Sequence, residues 1–321
     1  MTELSVLIAT RNGGDILRRT LQGYVDLDDQ NTQWELIIVD NNSDDDETPR
    51  IIREFQAKLP LIALHQPEPG KNCALNLGLA SLSSERVVLS DDDAIPHDGF
   101  LKTWIEAFDR YPDADIFGAT VIPSFDEPIP EWMSKHKPKF EELYARREGV
   151  SEGPIGADEI YGPNMAVRRK VFDEGMRFAE DIGPSFDQKN YAMGSETEFC
   201  QRGHAAGYKL VFVRGPAVSH LVRHHQVQPD FISGRSYRLG KGSALKHWKS
   251  GLLKPRRKSL VRALASAAKY QVKLLPLRLK KLSPDPLVRF CANWDSQFLR
   301  GYREEALDLR SQYSCSPQKG V

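Results

Sequence analysis

Covalent cross-links are the first thing this sequence lacks. Its four cysteines, Cys73, Cys200, Cys291 and Cys315, stand far apart in 321 residues and show no metal-knuckle spacing. They read as reduced thiols of a cytoplasmic protein. The first residues show no basic stretch followed by an apolar one, so no secretion signal is expected. No run approaches the roughly 20 apolar residues that cross a bilayer, and a location on the side of the membrane where the chain is made is expected. Net charge is missing as well, with 44 Lys and Arg against 44 Asp and Glu. No internal repeat is visible. Gly-x-Gly-x-x-Gly does not follow the first apolar run, which argues against a nicotinamide-dependent oxidoreductase.

What is present is an alternation of short apolar runs and amphipathic stretches over the first 122 residues. Strands are expected at 4–9, 36–39, 61–64, 87–89 and 116–122. Helices are expected at 15–24, 48–59, 73–82 and 99–108. Repeated β-α units of this kind imply an α/β fold, with a mostly parallel sheet flanked by helices. Residues 123–162 are Pro-rich and charged and read as a long irregular excursion, suited to an acceptor pocket. Order returns with Tyr161 to Val167, a helix from Glu196 to Gly207 and a strand over 210–213. A domain edge is expected near residue 230, giving a catalytic domain over 1–230 and a basic, mainly helical extension over 231–321 broken at Pro255 and Pro276.

Asp91, Asp92 and Asp93 directly follow the run Arg86-Val87-Val88-Leu89-Ser90. Along a strand, alternation puts Asp91 and Asp93 on one side and Asp92 on the other. Carboxylates so spaced suit a hard divalent cation, Mg²⁺ or Mn²⁺, whose open positions a diphosphate fits. The competing reading is an exposed acidic turn. In a parallel sheet the strand ends share one edge, where ligands bind. Ala9, Thr10 and Arg11 close the first strand, and Asp40 closes the second. Asp40 either accepts a hydrogen bond from a base imide N–H or caps a turn. Lys71 enters the third helix, facing a phosphate or solvent. Glu196 and Glu198 open a later helix whose dipole favours them there, and Glu196 is also placed as a general base. His220 is either structural or an imidazole ligand.

These stretches, in this order, resemble the family 2 inverting glycosyltransferases of the GT-A fold, a Rossmann-like α/β architecture. The resemblance rests on residues 4–12, 36–43, 70–79, 87–96, 162–169 and 194–202 and on the strand before His220. It implies a nucleotide-diphospho-sugar donor, a sugar or lipid-linked acceptor, and a role in polysaccharide or glycolipid synthesis. It further implies that Asp40 reads the base, that Asp91 lies toward the ribose and that Asp93 binds the metal. His220 would lie near metal and diphosphate. Ala9, Thr10, Arg11, Lys71 and Asp92 belong to the nucleotide site. The family's usual Glu-Asp pair stands here as Ser195-Glu196, which carries the base role to Glu196, with Glu198 competing.

Two rivals are weighed against this reading. A sugar nucleotidyltransferase calls for a longer Gly-rich basic loop than Arg11-Asn12-Gly13-Gly14-Asp15. A non-catalytic sugar-nucleotide binder keeps the fold without turnover. Between Arg235 and Arg289 there are sixteen Lys and Arg and one acid, Asp285. With its Leu and Val runs this segment is suited either to peripheral contact with anionic lipid or to packing on the catalytic domain. No nucleic-acid motif accompanies the charge, so no nucleic-acid partner is expected.

Overall fold

The β-α alternation appears in the expected order, and the differences concentrate after residue 123. The computed structural model of the chain describes residues 2–28, 31–135, 137–254 and 260–313. Strand β1 (Leu4–Thr10) is buried along its whole length, as a strand covered on both faces must be. Helix α1 (Gly14–Val25), β2 (Trp34–Asp40), α2 (Glu47–Gln56), β3 (Leu61–His65), α3 (Lys71–Gly78) and β4 (Arg86–Asp91) follow. Next come β5 (Ala94–Pro96), α4 (Phe100–Arg110) and β6 (Ile116–Phe125). The stretch expected to be irregular contains α5 (Glu131–Ser134), α6 (Lys137–Tyr144) and the two-residue β7 (Gly153–Pro154). After it lie β8 (Asn164–Arg168), α7 (Arg169–Asp173), α8 (Ser195–Ala205) and β9 (Leu210–Val222). Three long helices end the described chain: α9 (Pro229–Lys249), α10 (Leu260–Lys280) and α11 (Pro286–Tyr313).

Two compact units result. One comprises Met1–Glu127, Glu141–Asp187 and Ser195–Arg223, and the other Pro128–Phe140, Gln188–Gly194 and His224–Val321. The first holds a mixed sheet in the order β3-β2-β1-β4-β8-β6-β9-β5, with β7 beside β9. Its first four strands are parallel, so Thr10, Asp40 and Asp91 finish at one edge. Strand β8 runs against both β4 and β6 and reverses the direction. Alternation splits the apolar side chains between two layers. Val6, Ile8 and Ile38 pack with Leu17, Ile51 and Trp104 on one face. Leu7, Ile37 and Val39 pack with Leu75 and Phe199 on the other.

The strand expected to end at Val213 instead continues as β9. Its pairing with β6 shifts from Ala119–Val213 to Thr120–Ala217, so Arg214, Gly215 and Pro216 form a bulge rather than an end. Beyond the bulge β9 runs antiparallel to β5, placing His220 opposite Ala94.

In the second unit α9 and α11 are the principal pair. Ser236 Oγ donates to the Trp294 carbonyl at 2.6 Å, and Lys241 meets Glu305 at 2.9 Å. Pro276 does not break the tail, because it lies inside α10. It forfeits the bond to the Val272 carbonyl, but both residues are exposed and water can serve that oxygen. Pro255 lies outside the described residues.

Trp104 is fully buried against Phe108 and Phe117, and its indole N–H has no hydrogen-bond partner. Trp104→Ala should lower stability by about 3–5 kcal/mol through the cavity it leaves. Trp104→Phe, which deletes the unpartnered N–H, should cost less than about 1.5 kcal/mol. Chemical denaturation of the two variants measures the difference.

Candidate active site

Three successive carboxylates at the end of β4 dominate the sheet edge. Only Asp91 belongs to the strand, whereas Asp92 and Asp93 form a turn before β5. Strand alternation therefore does not govern the triplet, and each side chain takes its own direction. Asp91 Oδ1 meets the Lys71 ammonium at 2.5 Å. Asp92 Oδ2 accepts a hydrogen bond from the Thr10 hydroxyl at 2.6 Å, and the Thr20 hydroxyl donates to the Asp92 carbonyl at 2.9 Å. Asp93 faces His220 Nε2 at 3.4 Å and the Arg223 guanidinium at 3.8 Å.

Pairing explains these partners. Ala9 lies beside Asp91 in the β1–β4 ladder, which brings Thr10 next to the turn. The Leu221 N–H donates to the Asp93 carbonyl at 2.7 Å and locks β9 to the triplet. His220 Nδ1 lies 3.0 Å from the Tyr144 carbonyl, which only accepts. Nδ1 therefore carries a proton in either charge state, and Nε2 faces Asp93, donating to it when the ring is protonated and offering a lone pair when it is not.

The charges are strongly perturbed. Burial and the neighbouring Asp93 charge push Asp92 up to about 7. Burial also raises Asp91, against the pull of Lys71. Asp93 is held below the usual carboxylate range, because His220 and Arg223 outweigh its burial. The same pairing raises His220.

Lys71 joins the triplet to the later helix, since its ammonium also lies 3.2 Å from Glu196 Oε1. That charge outweighs burial and keeps Glu196 below its ordinary range. The Ser195 hydroxyl donates to Glu196 Oε2 at 3.0 Å. Glu198 is differently engaged. It is buried and held by Arg202 through both oxygens, at 2.8 and 2.9 Å. Of the two acids opening α8, Glu196 is the one that joins the triplet.

Asp40 combines both readings of its position. Its Oδ1 accepts from the Ser43 N–H and hydroxyl at 3.0 and 2.6 Å, so it caps a turn. Among the described residues its Oδ2 takes no hydrogen bond, which leaves an acceptor at the sheet edge. Arg11 pairs with Asp44 at 3.3 Å and stacks on Phe186 at 4.2 Å.

Several residues with no role expected from the sequence shape this site. Buried Asn41 donates to the Gln66 and Glu68 carbonyls and accepts from the Gly70 N–H, fixing the loop that delivers Lys71. Asn72 and Asn76 do the same for the segment 178–182, on which they bond Ala179, Ile182 and Phe178. Arg223 sits just past the end of β9, where only the course of the strand reveals its use. Gly162 lies beneath Glu196, and a Cβ there would come within 2.5 Å of Glu196 Oε1.

The donor set suits a divalent cation. Asp93 Oδ1 is buried without a hydrogen bond of normal geometry, and His220 Nε2 lies 3.4 Å from it, a nitrogen that must give up any proton before it can hold a cation. Hard carboxylate oxygens and one imidazole match Mg²⁺ or Mn²⁺. Among the described residues, no group of three or more His, Cys, Asp or Glu side chains is arranged to hold a metal ion by itself. Ligands from a bound substrate would have to complete the sphere.

Residues 5–176 match the family model described as glycosyl transferase family 2. The chain belongs to that family. The match includes every strand from β1 to β8, whereas α8 with Glu196 and β9 with His220 lie beyond it. A glucosyl-dolichyl phosphate glucuronosyltransferase of Haloferax volcanii is 24% identical over 211 residues, 63% of each chain. Glycosyltransferase AglE of the same organism is 24% identical over 242 residues, covering 74% of this chain and 72% of its own. Among solved structures, S. aureus TarS 1-349 with UDP-GlcNAc aligns with a TM-score of 0.53 at 16% identity, covering 97% of this chain and 92% of its own. The mannosyltransferase PcManGT from Pyrobaculum calidifontis, in complex with GDP-Man and Mn²⁺, aligns with a TM-score of 0.55 at 15% identity, covering 98% and 76%. At such identities the likeness is one of fold, and that fold is GT-A. As a family 2 member with named glycosyltransferases as relatives, the protein is a glycosyltransferase.

Gly162→Ala should leave thermal stability nearly unchanged, because the flexible end of Glu196 can move aside. If Glu196 has the base role expected from the sequence, the variant should lower glycosyl transfer about tenfold or more, as misplacing a reacting group does. Melting temperature and initial rate measured on one preparation separate the two effects.

Proposed function

We propose that the first unit transfers a sugar from a nucleotide-diphospho-sugar to an acceptor hydroxyl by one displacement that inverts the anomeric carbon. The observation that carries this reading is the buried pair of Asp93 and His220 beside Asp91 at the strand ends, with Asp93 Oδ1 taking no hydrogen bond of normal geometry. Membership of family 2 supports it. So do neighbours whose structures hold UDP-GlcNAc, or GDP-Man with Mn²⁺.

Roles follow from position. Asp40 accepts a base imide N–H through Oδ2. Thr10 holds Asp92 in place at the nucleotide site, where Ala9 and Arg11 supply the remaining wall. Asp91, Asp93 and His220 would hold a Mg²⁺ or Mn²⁺ ion, which when bound neutralises charge on the leaving diphosphate. Glu196 is the general base. Lys71 keeps its carboxylate ionised, and it takes the proton from the acceptor hydroxyl as that oxygen attacks the anomeric carbon. The bond from that carbon to the diphosphate oxygen breaks, and its electron pair leaves with the diphosphate. One attack opposite the leaving group inverts the centre. The pairing of both Glu198 oxygens with Arg202 supports Glu196 over Glu198 in the base role. A sugar or a lipid-linked sugar supplies the hydroxyl, the latter supported by the dolichyl phosphate acceptor in one relative's name.

A thermal-shift screen of nucleoside diphosphates and their sugars, with and without Mn²⁺, should find a Mn²⁺-dependent stabilising donor. With that donor, Glu196→Gln should bind normally and lose at least about a hundredfold in turnover. Near-normal turnover would remove Glu196 from the mechanism.

The pH profile offers a second check. A base whose pKa is depressed in the folded enzyme stays ionised as pH falls, so at saturating Mn²⁺, which would keep the raised Asp91 ionised, the acid limb of kcat/KM should lie below about 4.3, the ordinary glutamate value. Lys71→Met removes the stabilising charge and should move that limb to higher pH. An unmoved limb would show that Lys71 does not set the ionisation of the base.

A further inference from the structure

Glycosyl transfer makes no use of the most concentrated apolar surface on the described chain. Nine large apolar residues are exposed among the described residues, and the five most exposed include Val272, Leu275, Leu279 and Leu282, at 71, 57, 65 and 81%. Scattered single residues of this kind are ordinary, but a cluster marks an interaction surface. Here the spacing is three, four and three residues, so all four fall on one side of α10 and its last turn.

The opposite side of α10 is already satisfied. Leu274 is buried there, and Tyr270 lies under the Arg303 guanidinium of α11 at 4.4 Å. The exposed stripe is therefore a second apolar face, not the one that packs the helix. Both its borders are basic. At 100° per residue, Lys269, Lys273 and Lys280 flank one side and Arg278 the other, and all four are exposed. The surrounding segment from Arg235 to Arg289 has sixteen Lys and Arg against one acid, Asp285.

We propose that this face of α10 docks the protein on a membrane surface containing anionic lipid. The leucines would enter the boundary between headgroups and acyl chains, and the flanking ammonium and guanidinium groups would meet lipid phosphates. No helix among the described residues is long and apolar enough to cross a membrane, so the contact is one of lying on the surface. Charge selects this occupant over a second copy of the chain. Two copies meeting through the stripe would bring basic borders against basic borders, with no acid on α10 to offset them. A nucleic acid would satisfy the charges and leave the apolar stripe in water.

The test is co-sedimentation of the full chain with vesicles of phosphatidylcholine and phosphatidylglycerol, and with phosphatidylcholine vesicles alone. Wild type should pellet with the anionic vesicles, less so at high salt, and hardly at all with the neutral ones. The Leu275→Ser/Leu279→Ser and Lys273→Glu/Lys280→Glu pairs should each weaken binding about tenfold or more while leaving the melting temperature unchanged, since all four side chains are exposed. Equal pelleting of wild type and both variants, or no pelleting at all, overturns the proposal. Binding that salt abolishes but the leucine pair does not reduce would reflect charge attraction alone and also overturns it. A wild-type dimer by light scattering that the leucine pair dissociates would assign the face to a second copy, with the same consequence.

Discussion

Three consecutive carboxylates placed at a strand end and the turn after it repel one another, and much of the first unit is arranged around that repulsion. Two like charges within a few ångströms cannot both ionise at ordinary cost, and burial makes the cost larger. The structure answers by giving each aspartate a different neighbour. Asp91 has the Lys71 ammonium, Asp93 has His220 and Arg223, and Asp92 has the neutral Thr10 hydroxyl with only a minor pull from Arg223. The consequence is graded: Asp93 is lowered, while Asp91 and Asp92 are raised. A set of acids divided in this way favours added positive charge, and the divalent cation proposed above would supply it.

The sheet topology delivers those neighbours from far apart in the chain. Parallel pairing alone brings Thr10 and Asp40 to the edge, but not His220. That residue arrives because β9 continues through its bulge and pairs with β5, which begins immediately after the triplet. Lys71 arrives through a loop that the Asn41 side chain holds by three hydrogen bonds. Its contact with Glu196 then links the acids of the triplet to helix α8, which carries the proposed base. Electrostatics at the two ends of the site are thus connected through one ammonium group.

Much of this was readable in the amino-acid order. The buried strands announced themselves as unbroken apolar runs, and their ends named Thr10, Asp40 and Asp91. The Asp triplet was legible as chemistry because three acids directly after such a run are otherwise costly. Its geometry was not, since strand alternation stops at Asp91 and the turn follows rules of its own. The choice between Glu196 and Glu198 was also hidden. Both suit a helix N-terminus equally, and only the pairing of Glu198 with Arg202 one helical turn later separates them. Gly162 showed nothing locally, because its significance lies in the side chain above it. Pro276 misled in the other direction, since a proline on an exposed helix face costs less than one whose carbonyl partner is buried.

The central claim is that the acidic edge binds a cation through Asp93. Calorimetric titration of Mn²⁺ into the full chain, saturated with the nucleoside diphosphate that stabilises it most, tests this directly beside Asp93→Asn. A single Mn²⁺ should bind the wild type, with affinity reduced about tenfold or more in the variant. Equal affinity in the two proteins, or no Mn²⁺ uptake by the wild type, would contradict the account.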